Sequence, residues 1–561
     1  MKKSIALSLI STTFLLAASP NVPSSGDILK QVEPPKVPTK TTPLIEVGGV
    51  QKYAPPMKDD KSGKTIFVKS FKITGALHMP EEKLLALLAP YTNRDLTFAQ
   101  LQEAASVITK AYRENGYFVA RAYIPAQSMQ EGVIQIAVIE GEYGKFILEN
   151  NSRVKDSIVQ AMLDDASRHD NVVSTSTLER SMLIINDTPG AKVVQADVMP
   201  GEAVGTSDFA IKTEATPWYD GYILGDNYGS RYTGKNRLMA GVNLNSLAGL
   251  GDQLSLSGLI SNSKDLRNGR VAYSVPLMAN GLRGEVGYSK TKYELKDLQN
   301  TPDNSFDGTA STLYATLSYP IMRTRLETLK VSATLSSKDM SEYAFGEISN
   351  EKDVKSLALN LSHSKDLRVF NTDAKINSSL TYTTGNLEIN DETALATDEA
   401  GDNTNGNYNK LNASVNAAFL LSQDFSLSTT FALQKTLGGK NLDGSEDFSV
   451  GGSNGVKVFP DAELSAENGY LFNIEGFYNL PTFASYTHKL GLFYDAGAVT
   501  MSDNSQANFT KRTLQDVGIG YYASYNTLFA KAQVATVVGG EDIESEPNDN
   551  TRALVQVGWM F

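Results

Sequence analysis

From about Thr213 to the end of the chain, apolar and polar positions alternate. Val331, Ala333 and Leu335 interleave with Ser332, Thr334 and Ser336. Leu411, Ala413, Val415, Ala417 and Phe419 do so with Asn412, Ser414 and Asn416, and Phe425, Leu427, Phe431 and Leu433 with Ser426, Ser428 and Thr430. A period of two is that of a β-strand with one greasy face. The final segment, "ALVQVGWMF", keeps the pattern: Ala553, Val555, Val557, Trp559 and Phe561 lie on one side, Gln556 and Gly558 on the other. Polar stretches such as "LKDLQNTPDNSFDGTAS", "NDETALATDEAGDNTNGNYN" and "GGEDIESEPNDNT" separate some strands, while tight turns join others. At roughly 22 residues per strand with its connection, residues 214–561 predict about 16 antiparallel strands. A soluble sandwich would bury its apolar face under connections of fairly even length. Long and short connections at opposite ends instead predict a transmembrane barrel with lipid outside and a hydrated lumen inside. The last strand must then pair with the first, since hydrocarbon does not tolerate an open edge.

Between Ile66 and Thr213 the period lengthens to that of helices. Thr97 and Gln100 form a capping box, and Leu101, Ala104, Ala105, Ile108, Ala111 and Tyr112 follow at helical spacing, with Gly116 at the C-terminal cap position. Around this helix stand the strand "IFVKSFKITG", a shorter helix near "PEEKLLALLAPY", and two strands, "GYFVARAYIP" and "GVIQIAVIEG", in the order β-α-α-β-β. The order then repeats: "YGKFILEN" parallels the first strand, "RVKDSIVQAMLDD" the first helix, and Ser176 with Glu179 is expected to open a second helix through Leu178, Met182 and Ile185. Phe71 and Phe146 stand 75 positions apart (146 − 71), as do Pro125 and Pro200 (200 − 125). The chain therefore divides into two tandem α+β modules, residues 66–142 and 143–213, and an all-β barrel from 214 to 561.

The N-terminus carries Lys2 and Lys3, an apolar run from Ile5 to Ala18 and small residues at Ala17, Ala18 and Ser19, which predicts a signal peptide over residues 1–19. The run is shorter than the roughly 20 residues of a spanning helix, which counts against a membrane anchor. Residues 20–65, rich in Pro, Lys, Ser and Thr, read as a linker; within it "SGDILKQVEPP" fits a short plug helix ended by Pro34 as well as it fits a polar tether. A chain with no cysteine has no disulfides and must rely on core packing or backbone ladders. The net charge of −12 and the lack of any basic block argue against nucleic-acid binding.

The seats of other chemistry are missing. "GLGD" (Gly249–Asp252) has neither the lysine nor the spacing of a phosphate loop and reads as a hairpin turn. His78, His169, His363 and His488 are scattered, without metal-site spacing, and read as surface or barrel positions. With no Gly-x-Ser-x-Gly or His-Glu-x-x-His pattern, neither catalysis, a cofactor nor a metal is expected.

Two such modules before a barrel resemble the TpsB transporters of two-partner secretion. "LTFAQLQEAASVITKAYRENGYFVARAYIPAQSMQEGVIQIAVIEG" is similar to the first polypeptide-transport-associated (POTRA) domain of that family. The likeness continues through "NDTPGAKVVQADVMPGEAVGTSDFAI", "DNYGSRYTGKNRLMAGVNLNSLAGLGDQL" and on to Phe561. The family's lid-loop signature is matched by "GGSNGVKVFP", with Gly451, Gly452, Gly455, Val456, Lys457, Phe459 and Pro460. Lys457 stands where the family has Arg and Phe459 where it has Tyr.

The resemblance implies that this base reaches a lumen-facing Asp in a motif like "GLFYDAG". If Leu490, Leu492 and Tyr494 face lipid, then Gly491, Phe493 and Asp495 face the lumen, making Asp495 the partner. Lysine lacks the bidentate fork of arginine, so a looser hold is expected. The bland alternative is that Lys457 is a solvated loop base and Asp495 merely lines a wet pore.

By the same resemblance, the POTRA 1 region of Tyr112, Gly116, Tyr117, Arg121, Tyr123 and Pro125 recognises an unfolded exoprotein, and Val557, Trp559 and Phe561 form a C-terminal signal for the barrel assembly machinery. The implied activity is export of an adhesin, haemolysin or toxin through an outer-membrane pore without nucleotide. Two alternatives remain: an insertase sharing this barrel, which would usually carry more POTRA modules, and a passive porin, which would leave both modules idle.

Overall fold

The computed structural model describes residues 23–32, 47–48, 65–127, 131–298, 302–303, 305–461, 463–503, 511–539, 542–546 and 549–561. The signal-peptide segment 1–19 and most of the linker lie outside the described residues.

Module 1 packs the helix Phe98–Glu114 across a three-stranded sheet ordered Ser70–Thr74, Val133–Ile139, Arg121–Tyr123. Thr97 caps the helix by accepting from the Gln100 amide (3.3 Å), and Gln100 returns its side chain to the Thr97 amide (2.9 Å). The six residues at helical spacing are all buried, in one core with Phe71, Ile73, Ile134 and Ile136.

Two strand expectations change. "GYFVARAYIP" keeps only Arg121–Tyr123 as strand, because Tyr117–Ala120 turn back on themselves and send Phe118 and Val119 into the core of module 2. The sequence also hides a two-stranded antiparallel ladder, Thr65–Val68 against Arg94–Thr97, the second strand directly before the helix.

Module 2 repeats the plan. Phe71 pairs in parallel with Ile134, and Phe146 in parallel with Phe209, so the 75-residue offset holds for the partners as well (209 − 134). Its second helix, Thr175–Asn186, is capped by Ser174, which accepts from the Thr177 amide (3.2 Å). Ser176 is thus not the cap: the extended conformation a cap needs falls at Ser174, two positions earlier, and Glu179 instead pairs with Arg325 of the barrel (2.5 Å). Linker residues Val47–Gly48 add a parallel strand to Lys192–Pro200 of this sheet.

The barrel is a closed ring of sixteen antiparallel strands, from Tyr219–Asp226 to Thr551–Met560. The ring closes where Tyr222 through Asp226 pair with Met560 through Gln556, and Gly221 and Phe561 exchange two backbone hydrogen bonds (both 3.0 Å). Val555, Val557 and Trp559 point outward, 45–53% exposed, while Leu554 and Gly558 are buried inside. "GLGD" makes a tight turn in which Asp252 accepts from the amides of Ala248 and Leu250 (both 3.2 Å). Such turns face the modules, and Arg180 of module 2 donates to the Asn280 carbonyl in one of them (3.0 Å) and to the Pro320 carbonyl near the end of the strand Phe306–Arg323 (2.8 Å). Connections at the far end are longer, and one of them, residues 438–467, folds back into the lumen.

Candidate functional site

The lid loop 438–467 turns inward because its tip is apolar. Val450, Val456, Val458 and Phe459 are fully buried against Leu471, Phe493, Val499 and Leu514 of the barrel wall. Lys457 lies among them. Its Nζ is 2.5 Å from Asp495 Oδ2 and 4.2 Å from the Phe493 ring centre, and Asp495 is wholly buried. Asn473 ties the site from the neighbouring strand, donating to Asp495 Oδ1 (2.7 Å) and to the Gly455 carbonyl (2.9 Å).

The next residue is held too: the Val458 amide donates to Asp516 Oδ2 (2.7 Å), and Asp516 sits across the ladder from Asp495. An arginine would hold the wall through a two-bond fork. Here one charge-assisted bond, a cation–π contact and an amide–carboxylate bond share that role. Gly451, Gly455 and Pro460 shape the turn at the tip. Gly452 has φ +94°, a left-handed conformation that favours glycine, and a Cβ there would crowd the Asp461 carboxylate (1.7 Å from Oδ1).

Two further holds on the loop escape the motif. On its way in, Glu446 meets Lys338 (2.6 Å) and Lys410 (2.8 Å), and Asp443 meets Lys352 (2.6 Å). Lysines 338 and 410 keep the buried Glu446 carboxyl down at about 2 despite desolvation. On its way out, the buried Glu463 accepts from Arg512 (3.2 Å), from the amides of Glu544 (2.8 Å) and Ser545 (3.0 Å), and from the Ser545 hydroxyl, which fastens the lid to the last outer connection. Lysines at single positions of alternating strands give no sequence signal until the register is known.

A second segment shares the lumen. Ser25–Gln31 is a helix, as one of the two linker readings expected; Ser24 caps it through a capping box with Asp27, and Pro34 lies outside the described residues. Ile28 is fully buried against Leu224, Met239, Leu259 and Tyr293 of the barrel. The Ser25 amide donates to Glu342 (2.8 Å), and Arg237, itself paired with Asp226 (2.9 Å), donates to the Gln31 carbonyl (2.9 Å). Gly26 sits so close to the lid loop that a Cβ would be 2.1 Å from the Ser445 amide nitrogen. Helix and lid therefore touch backbone to backbone, and only glycine permits it.

The POTRA 1 residues divide into two groups. Tyr112 is fully buried, its hydroxyl donating to Glu140 (2.8 Å), while Gly116 and Tyr117 lie at the junction with module 2. Arg121 and Tyr123 are exposed on the edge strand and Pro125 is half-buried just beyond. The Ala122 amide, turned away from the sheet, is taken by Thr109 Oγ1 (2.9 Å) of the neighbouring helix. Between module 2 and the barrel opens a cavity of about 840 Å³, lined by Glu179, Asp187, Arg283, Arg323, Lys330 and His363 among others. Among the described residues no helix is long and apolar enough to cross a membrane, and no group of three or more His, Cys, Asp or Glu is arranged to hold a metal ion.

A closed sixteen-stranded barrel, two POTRA-type modules at one mouth and a lid tied to the inner wall define an outer-membrane polypeptide transporter, with the modules in the periplasm. Residues 205–521 match the family model of the haemolysin secretion/activation proteins ShlB/FhaC/HecB, and residues 66–141 match that of the ShlB-type POTRA domain. The chain belongs to the ShlB/FhaC/HecB family, the outer-membrane transporters of two-partner secretion.

It is 27% identical over 538 residues to the heme/hemopexin transporter protein HuxB of Haemophilus influenzae, covering 92% of both chains. It is 24% identical over 433 residues to the outer membrane transporter CdiB of Dickeya dadantii, covering 75% of this chain and 74% of that one. The fold superposes on CdiB from Escherichia coli with a TM-score of 0.73 at 20% identity, over 92% and 94% of the two chains. BamA from Haemophilus ducreyi is more distant, with a TM-score of 0.51 at 14% identity, over 88% of this chain and all of that one.

Proposed function

We propose that the chain moves one large, unfolded exoprotein from the periplasm to the cell surface by displacing two of its own segments, helix 25–31 and lid 438–467. One observation carries this reading: the lumen is filled by these segments and not by barrel side chains alone, and both are held through discrete contacts that can be broken one by one. Recognition falls to the exposed edge around Arg121, Tyr123 and Pro125 and to the helix beside it, where side chains meet an extended peptide, the outward Ala122 amide being already held by Thr109. The cavity under module 2 is the entrance. The contact of Lys457 with Asp495 is the lock that yields, and folding of the exoprotein outside makes transit directional.

The outward faces of Val557 and Trp559 meet outer-membrane lipid, and Val557, Trp559 and Phe561 serve as the signal to the barrel assembly machinery. Neither catalysis nor a cofactor has a role. The heme/hemopexin transporter aligns over most of this chain, so a heme/hemopexin-type exoprotein is the first cargo to test. The test is a secretion assay in which the chain, with and without residues 66–213, is co-expressed with a heme/hemopexin-type exoprotein. Export that depends on those residues supports the reading. If export persists without them, while depletion of the chain stops other barrels from assembling, the insertase alternative takes its place.

A further inference from the structure

His78 bridges the two periplasmic modules. It lies in module 1, just after the strand Ser70–Thr74, with its ring 5.6 Å from that of Tyr117. Nδ1 is 2.6 Å from Glu140 Oε2, at the end of module 1, and Nε2 is 3.0 Å from Asp170 Oδ2, in module 2. A neutral imidazole has one N–H and one lone pair, so only the imidazolium donates to both carboxylates at once.

The two carboxylates are not equivalent. Glu140 is buried, and its Oε1 already accepts from the amides of Leu77 (2.7 Å) and His78 (2.8 Å) and from the Tyr112 hydroxyl (2.8 Å). Burial favours a neutral Glu140, but these bonds and the His78 ring outweigh it and hold the carboxyl below its usual value. The Asp170 side chain is 37% exposed. When the ring loses its proton, the Glu140 bond survives and the bond across the junction goes.

We propose that His78 is a proton-operated positioning residue for export: protonated, it fixes module 1 against module 2 and so aims the recognition edge at the barrel entrance, and deprotonated it lets module 1 swing. The groups facing it are Glu140 and Asp170, with Tyr112 and Tyr117 behind. Elsewhere at the junction, among the described residues, Thr175 donates to the Gly116 carbonyl through its amide (2.9 Å) and its hydroxyl (3.1 Å), the Val173 amide donates to the Gly141 carbonyl (2.9 Å), Asn171 donates to Glu142 Oε2 (2.7 Å), and Phe118 and Val119 pack into module 2. Deprotonation therefore loosens a restraint without parting the modules.

The hydrogen bond to Glu140, opposed by partial burial, raises the imidazole above its ordinary 6.5. The restraint is therefore complete below 6.5 and fades as pH rises through the raised value. The aiming role rests on the transport reading, whereas the geometry of the restraint does not, so the two can fail separately.

The test uses the full chain in lipid nanodiscs. Because it has no cysteine, Ser106→Cys and Ser157→Cys place spin labels on exposed helix positions of modules 1 and 2. Pulsed electron resonance reads the distance between them from about pH 5 to well above pH 8. The expected result is a narrow distribution in acid that broadens with a midpoint above 6.5. His78→Gln should be broad throughout. Asp170→Asn, which leaves the Glu140 network and the core of module 1 intact, should shift the midpoint down. Export measured in parallel should lose its pH profile in His78→Gln. A parent distribution that stays the same across the range, or a pH response that survives in His78→Gln, overturns the proposal.

Discussion

Replacing Lys457 by alanine strips a buried carboxylate of its cation. The Asp495 side chain is fully buried and that of Lys457 is 10% exposed, so solvent screens the pair little. Removing one partner of such a pair costs about 3–5 kcal/mol. Asn473 stays on Asp495 and the Val458–Asp516 bond is untouched, which places the loss near the lower end. At about 1.4 kcal/mol per tenfold, the ratio of closed to open lid falls by about two orders of magnitude. Single-channel conductance in planar bilayers reads this ratio, with residues 23–32 deleted in both parent and variant so that only the lid gates the pore. Asp495→Ala should open the pore similarly, and the double variant should fall well short of the sum of the two losses, because the second substitution removes a group already stripped of its partner. An open probability in Lys457→Ala within about threefold of the parent, less than 1 kcal/mol on the same scale, refutes the lock.

Gly26→Val cannot seat the N-terminal helix against Ser445, so conductance should rise to the level of the 23–32 deletion while thermal stability of the barrel in detergent stays unchanged. Arg512→Ala removes the cation from the buried Glu463 and should raise lid opening further in a Lys457→Ala background, since the two sites share no residue; equal conductance of the single and double variants would show one lock, not two. Tyr112→Phe leaves Glu140 short of a donor at a cost of about 1–3 kcal/mol, seen as faster hydrogen exchange in helix Phe98–Glu114 with exoprotein affinity unchanged once folded. Tyr123→Ala should do the reverse, lowering affinity without touching exchange.

The barrel was legible because lipid enforces the sequence pattern. Every second residue must be apolar over a strand's width, and register from Leu490, Leu492 and Tyr494 supports the lumen side for Asp495, the residue the family motif singles out. The repeat was legible because Phe71 and Phe146 stand at equivalent strand positions, each paired in parallel with an apolar residue, Ile134 and Phe209. What stayed hidden depends on pairing between distant segments. Nothing near Lys338, Lys352 or Lys410 distinguishes them from other strand lysines, and Asp443 and Glu446 look like ordinary loop acids until the loop is known to fold inward. Tyr112 misled for a related reason. It sits in a recognisable motif, but its helical spacing with Ile108 and Ala111 places it in the core, so the motif there marks the fold of the module and not its surface.

A barrel of this diameter cannot fill its lumen with wall side chains, so closure has to come from segments that enter it. The apolar contacts those segments make are divided into separate clusters: one around Phe459 and Val458, one around Ile28, and one in which Leu29 packs against Met340, Val354 and Tyr408. A continuous core would melt as a unit and take the barrel with it, whereas separate clusters can be vacated while the ladder of sixteen strands keeps every backbone group paired. The charged ties follow the same division. Lys457–Asp495 holds the tip, Glu446 and Asp443 the inward limb, and Glu463–Arg512 the outward limb. Because Gly26 rests on Ser445, the inward limb cannot move far while the helix is seated, nor the helix settle once the limb has gone. Helix exit should therefore precede or accompany release of that limb, and a disulfide joining Ser24→Cys to Gly444→Cys, where a Cβ on residue 444 would stand 4.0 Å from that of residue 24, should block export until it is reduced.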